Sequence, residues 1–178
     1  MRRTFLALEF AMAVGALTVA AAFSQTPHGH GAHGSGPDAA HRRLQATFDE
    51  IDAVLAQGRG AGLAFAADQN GYPGPLHVLE LADRLALTPP QRARMETLQA
   101  AMFSDARPKS ARLLEAEARL RRLFAEGTAT EGLVRAAVVE VERARGEVRL
   151  VHLITHLETR SVLTDAQRRV YHEARWGR

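Results

Sequence analysis

The chain has 178 residues, with 23 Lys and Arg against 20 Asp and Glu, a formal charge of +3 and no cysteine. That length fits one small domain behind a leader, and the missing thiols exclude disulfides, thiol catalysis, Cys-ligated metal and attachment as a lipoprotein. The near balance of charge, despite an isoelectric point of about 10.1, lacks the basic excess expected for a nucleic-acid partner.

Residues 1–24 have the pattern of a cleavable secretory signal. Arg2 and Arg3 supply the basic start, residues 10–22 are almost wholly apolar, and Ala20, Ala21, Ala22 and Ser24 offer small residues for cleavage. The apolar run falls short of the roughly 20 residues of a spanning helix, and an uncleaved anchor is the competing form. Residues 25–40 form a Gly- and His-rich linker, expected to be disordered because nothing in it repeats with an apolar period. Its His28, His30 and His33 either chelate divalent ions loosely or are solvated linker residues.

Residues 41–75 read as a short helix and a Gly/Pro loop. Leu44, Phe48, Ile51 and Leu55 recur at helical spacing over 41–57, Gly58 and Gly60 end the run, and Gly62, Gly71, Gly74, Pro73 and Pro75 mark the loop. The helical domain occupies 76–178. Helices are predicted over 76–87, 89–104, 108–126 and 131–162, followed by a short one from Thr164; Gly127 suits the C′ position of the third. The helix over 131–162 is expected to be the longest, at roughly 48 Å. Val134, Ala137, Val141, Ala144, Val148, Val151 and Thr155 make its seam, in alternating steps of three and four. No alternating β-pattern occurs. The fold class is all-α, a long helical hairpin with short flanking helices.

One phrase occurs twice: Leu87-Thr88-Pro89-Pro90-Gln91 and Leu163-Thr164-Asp165-Ala166-Gln167. In each, the Thr hydroxyl caps the helix and the Gln three residues on reaches back to the cap's N–H, which is a capping box. Pro89 and Asp165 strengthen the two starts.

Candidate chemistry is sparse. His152 and His156 lie one turn apart on one helical face, a spacing that suits Zn, Cu or Ni, and His77 and Glu80 form a second pair. The alternative is that these histidines flank the core and bond locally. The helices also carry a row of Arg that includes Arg119, Arg122, Arg145 and Arg149, interleaved with Leu, Val and Glu. Such a face either holds acidic and apolar segments weakly or is a solvated surface with ion pairs such as Glu117 with Arg121. There is no phosphate loop, nucleophile motif or HExxH, so no enzyme activity is expected and no cofactor is required.

The paired Leu-Thr-x-x-Gln phrases, with His156-Leu157-Glu158-Thr159 before the second and Gly71-Tyr72-Pro73-Gly74-Pro75 and His77-Val78-Leu79-Glu80-Leu81 before the first, resemble the Spy/CpxP family of periplasmic proteins, over about residues 58–175. That family includes zinc-resistance-associated and heavy-metal-sensor relatives. The resemblance implies a periplasmic ATP-independent chaperone or envelope-stress adaptor, folded as a cradle-like homodimer that binds exposed apolar segments. Its implied partners are unfolded or partly folded envelope proteins and a membrane sensor protein. The alternative it implies is a heavy-metal-binding or sensing protein, in which His77, Glu80, His152 and His156 would match the metal site. Thr159 stands where those relatives place a Met ligand.

Overall fold

The structure, a computed structural model, describes residues 37–177; the signal segment and the His28, His30 and His33 cluster lie outside them. Six helices are present among the described residues: α1 Pro37–Ala56, α2 Phe65–Gln69, α3 Pro75–Glu80, α4 Pro89–Ala125, α5 Glu131–Val162 and α6 Asp165–Trp176. They bear out the all-α hairpin, with α4 and α5 packed lengthwise and α1, α2 and α3 laid against them.

Three boundaries differ from expectation. α1 starts at Pro37, inside the segment read as linker, because proline is preorganised for the first helical turn and Asp38 favours a helix N-terminus. The helix expected over 76–87 stops at Glu80 and continues as turns to Ala86, whose φ is +46°. The two helices expected over 89–104 and 108–126 are one helix of 37 residues, α4, with Pro108 inside it. At about 55 Å it is longer than α5. Proline forfeits a backbone bond and costs about 3 kcal/mol in a helix interior. Here Met95, Leu98, Met102, Ala106, Ser110, Leu113 and Ala116 are buried on both sides of it, while Pro108 itself faces solvent. Continuous packing outweighs the lost bond.

Helix ends follow one chemistry. Gly58, Gly71, Ala86 and Gly127 all have positive φ. In each case its own N–H bonds the carbonyl three residues back, and the next N–H bonds the carbonyl five back. This is the Schellman motif, which satisfies carbonyls that a helix end leaves bare. Gly127 sits where the sequence placed it; Ala86 adopts a conformation that costs an L-residue about 1–2 kcal/mol.

The α5 seam is buried at Val141, Ala144, Val148 and Thr155. Two apolar clusters lie along it. Leu55, Leu113, Ala116, Val141, Ala144 and Val148 form one. Val78, Leu85, Met95, Leu98, Leu163 and Tyr171 form the other. Between them α5 buries four polar residues, His152, Thr155, His156 and Thr159. The threonines bond back to carbonyls one turn earlier, Thr155 to Val151 at 2.9 Å and Thr159 to Thr155 at 2.8 Å.

Both capping boxes form as expected, at Thr88/Gln91 and Thr164/Gln167. They also bond each other. Gln91 Nε2 donates to Gln167 Oε1 at 2.9 Å, and Gln167 Nε2 donates to Gln91 Oε1 at 3.0 Å. Each amide nitrogen donates again across the fold, Gln91 to the Val162 carbonyl at 3.0 Å and Gln167 to the Leu85 carbonyl at 3.2 Å. The repeated phrase therefore joins the starts of α4 and α6 in a near-symmetric latch, while Leu163 enters the core beside it.

Candidate functional site

The base of the hairpin is assembled around Asp68 of α2, which is 6% exposed. Tyr171 and Arg175, one turn apart on α6, both bind it. Tyr171 Oη donates to Oδ1 at 2.5 Å, and Arg175 Nε donates to Oδ2 at 3.2 Å. Burial, then the bond to Asp68, push the Tyr171 phenol far above its ordinary range, so it stays protonated as a donor. Trp176, next along, meets Phe65 edge-to-face at 5.4 Å.

The 58–75 segment crosses α5 over its two histidines. His156 Nδ1–H donates to the Tyr72 carbonyl at 2.7 Å. With a carbonyl as partner, Nδ1 carries the proton and Nε2 of the neutral ring holds a lone pair. A Cβ on Gly74 would stand 2.7 Å from that Nε2, and one on Gly60 would meet the His152 ring at 3.2 Å. Gly74 has φ −89°, open to any residue, so it is glycine for space and not for conformation. Arg160 lies over the Tyr72 ring at 4.6 Å and holds the crossing from the other side.

His152 is 3% exposed, and its Nε2 is buried without a hydrogen-bond partner. Burial, helped by the nearby His156, lowers its pKa to about 4; burial also lowers that of His156, against the pull of the Tyr72 carbonyl. Both rings are neutral at pH 7. His152, His156, His77 and Asp68 line one cavity of about 560 Å³, walled elsewhere by Val54, Phe65, Met102, Phe103 and Trp176.

The four-residue metal centre is not assembled. Among the described residues no group of three or more His, Asp or Glu side chains converges as a metal site requires. His77 is turned to its neighbour Glu80, Nδ1 to Oε2 at 2.9 Å, while His152 and His156 are roofed by the glycine-bearing loop. The reading of these histidines as core-flanking residues is closer to what is seen, although they sit in the seam and not beside it.

The Arg row divides. Arg119 pairs with Glu115 at 2.9 Å and with Glu140 across the hairpin. Arg145 pairs with Glu142 at 3.4 Å and with Glu117. The expected Glu117–Arg121 pair is replaced by this cross-hairpin bond, and Arg121 reaches Asp52 of α1 at 3.7 Å. Arg122 and Arg149 stand exposed. Beside Arg149, a different feature emerges that the sequence reading passed over: Leu150, Ile154 and Leu157 are 59, 47 and 53% exposed. Their spacing of four and three puts them in one row along α5. Leu150 and Ile154 line a groove of about 420 Å³ against Leu98, Ala101 and Met102 of α4, rimmed by Asp105, Lys109, Glu147 and Glu158.

Nor does the sequence mark Asp68, Tyr171, Arg175 or Trp176 as site residues. Tyr171 and Arg175 show the i,i+4 spacing that could have drawn attention, but Asp68 lies 103 residues from Tyr171 and no local pattern connects them. Among the described residues no helix is long and apolar enough to cross a membrane. Comparison with family models, curated proteins and solved structures finds no match to this chain.

Proposed function

We propose that the chain is an exported, periplasmic chaperone of the Spy/CpxP kind, which captures exposed apolar segments of envelope proteins without nucleotide. The observation that carries this is the row Leu150, Ile154 and Leu157 with its groove and charged rim. A contiguous apolar strip edged by both signs of charge suits weak, sequence-tolerant capture: apolar area supplies attraction and the rim draws charged flanks. Exposed Arg122 and Arg149 add positive charge to the same two helices. The homodimer and the membrane sensor partner belong to this proposal through the resemblance in the paired motifs.

The experiment is suppression of aggregation of a chemically denatured client, without ATP, at several-fold molar excess of the full chain. Suppression is expected, and a Leu150→Gln, Ile154→Gln double variant is expected to lose most of it while unfolding at a similar urea concentration, since both residues are already solvated. Absence of suppression by the unaltered chain overturns the reading. The rival, heavy-metal binding by His77, Glu80, His152 and His156, has the geometry against it; saturable zinc or copper uptake by protein lacking residues 1–36 would restore it.

A further inference from the structure

Gly146 stands at the middle of α5, which runs from Glu131 to Val162. Its backbone is helical, so no turn requires glycine there, and a glycine inside a helix destabilises it relative to alanine. Crowding does not require it either. Gly60 and Gly74 leave room for histidine rings, but beyond the helix's own backbone no atom of the described residues lies within 4 Å of where a Cβ on Gly146 would stand. What a bare backbone does permit is the close approach of a partner from outside. The face that Gly146 shares is apolar. At 100° per residue, Val139, Gly146, Leu150, Ile154 and Leu157 fall within about 80° of arc around α5. The four side chains among them are exposed, and a contiguous exposed row of this kind marks an interaction surface.

Size and charge select the occupant. A second α5, turned end for end about Gly146, lays the row on itself. Ile154, eight residues past the crossing, then faces the partner's Val139, seven residues before it, and Leu157 faces the partner's Ala136. The larger side chains of one half meet the smaller ones of the other. On one flank Glu142 comes beside the partner's Arg149, a pair that twofold symmetry repeats. On the other flank Glu147 keeps its own Arg112 and Arg143, at 3.7 and 3.5 Å. In a parallel pair the flanks exchange, and Glu142 would face the partner's Glu147 instead.

We propose that two copies of this chain pair antiparallel along α5, crossing at Gly146, and that the pair covers the row Leu150, Ile154 and Leu157. A client and a second copy then compete for one surface, so the single chain is the capturing form and the homodimer its reserve. The pairing stands on α5 alone, whereas the competition rests on the reading of that row as the client surface.

The experiment is sedimentation velocity of the full chain over about 1–100 µM, where a small interface dissociates. Expected is a passage from one chain mass to two as concentration rises. Gly146→Leu is expected to weaken the pairing about tenfold or more, because bulk enters the crossing. Its side chain meets open space in the single chain, so the urea midpoint of the dilute variant is expected to stay or rise. Arg149→Glu is expected to weaken the pairing about fivefold, and adding Glu142→Arg in the same chain to restore it. The two lie seven residues apart on α5, too far for an ion pair within one chain. A single chain mass at every concentration overturns the pairing. Unchanged association in Gly146→Leu overturns the crossing point, and a failure of Glu142→Arg to restore association overturns the antiparallel register. Suppression of client aggregation is expected to rise in Arg149→Glu and to fall back in the restored double variant; no such movement, while the unaltered chain suppresses, overturns the competition. Absence of suppression in all three overturns the capture reading and the competition with it, while sedimentation by itself still decides the pairing.

Discussion

At the tip of the hairpin, where Gly127 turns α4 toward α5, Phe124, Leu133 and Val139 are 62, 49 and 70% exposed, and the helices are joined by solvated ion pairs such as Arg119–Glu140. At the base, Tyr171, Met95 and Thr159 are 0% exposed, and the joints are a buried carboxylate, two histidines under a loop and a pair of glutamines. Tip and base are the two ends of one hairpin, but the base also recruits α2 and α6: the tip is held by local pattern and the base by polar bonds between residues far apart in sequence. Buried polar bonds are costly to leave half-made, whereas solvated ones exchange with water. The base should therefore set the stability of the whole and the tip should be free to vary.

The sharpest way to break this comparison is at Asp68. Asp68→Ala strands the buried Tyr171 hydroxyl and releases the solvent-facing Arg175 from its pair, and is expected to cost about 2–3 kcal/mol in urea unfolding, as for a buried donor left unsatisfied. A loss under about 1 kcal/mol would mean that water replaces the carboxylate and that the base is no stiffer than the tip.

Acid comes next. His152 has a pKa near 4 in the folded chain against 6.5 unfolded. Between those values the unfolded chain holds a proton that the folded chain does not, so unfolding takes one up. This contribution is intact above about pH 6.5 and is lost as pH falls toward 4, about 3 kcal/mol in all. His156, shifted the same way, adds to the slope. Urea midpoints at pH 7 and pH 4.5 measure it, and His152→Leu is expected to flatten the dependence.

The latch should show as coupling. Gln91→Ala and Gln167→Ala each remove bonds that the other needs, and a double-mutant cycle is expected to return about 1–2 kcal/mol of interaction. Additive losses would reduce the latch to two independent caps. The smallest effect is expected at the tip: Glu140→Gln, which breaks the cross-hairpin pair with Arg119, should change stability by no more than about 0.5 kcal/mol.

The same division marks what was legible beforehand. The α5 seam, its bounds at 131 and 162, the Gly127 stop and both capping boxes rest on periods and caps, and these stand in the sequence as written. Pro108 misled because a local rule, proline as helix breaker, met a tertiary one, packing on both sides of it. His152 and His156 were singled out by their spacing, but the side chains that define their surroundings come from elsewhere: the Tyr72 carbonyl, and the bare backbones of Gly60 and Gly74. The Asp68–Tyr171 bond spans 103 residues. No periodicity announces a partner at that distance, and Tyr171 alone reads as one more apolar position on α6.

The glutamine pair also bears on the lettering of the repeated phrase. A capping box works equally well with glutamate, since only the side-chain oxygen is used locally. Here each amide oxygen accepts from its own threonine backbone, at 3.1 Å for Gln91 and 3.0 Å for Gln167, while each nitrogen faces a carbonyl and the other amide's oxygen. Glutamate would set an anion against two acceptors there. The final letter of each phrase is thus dictated by the other phrase, and a deamidation at either position, which spares the cap, would remove two of the four latch bonds and set a charge against their acceptors.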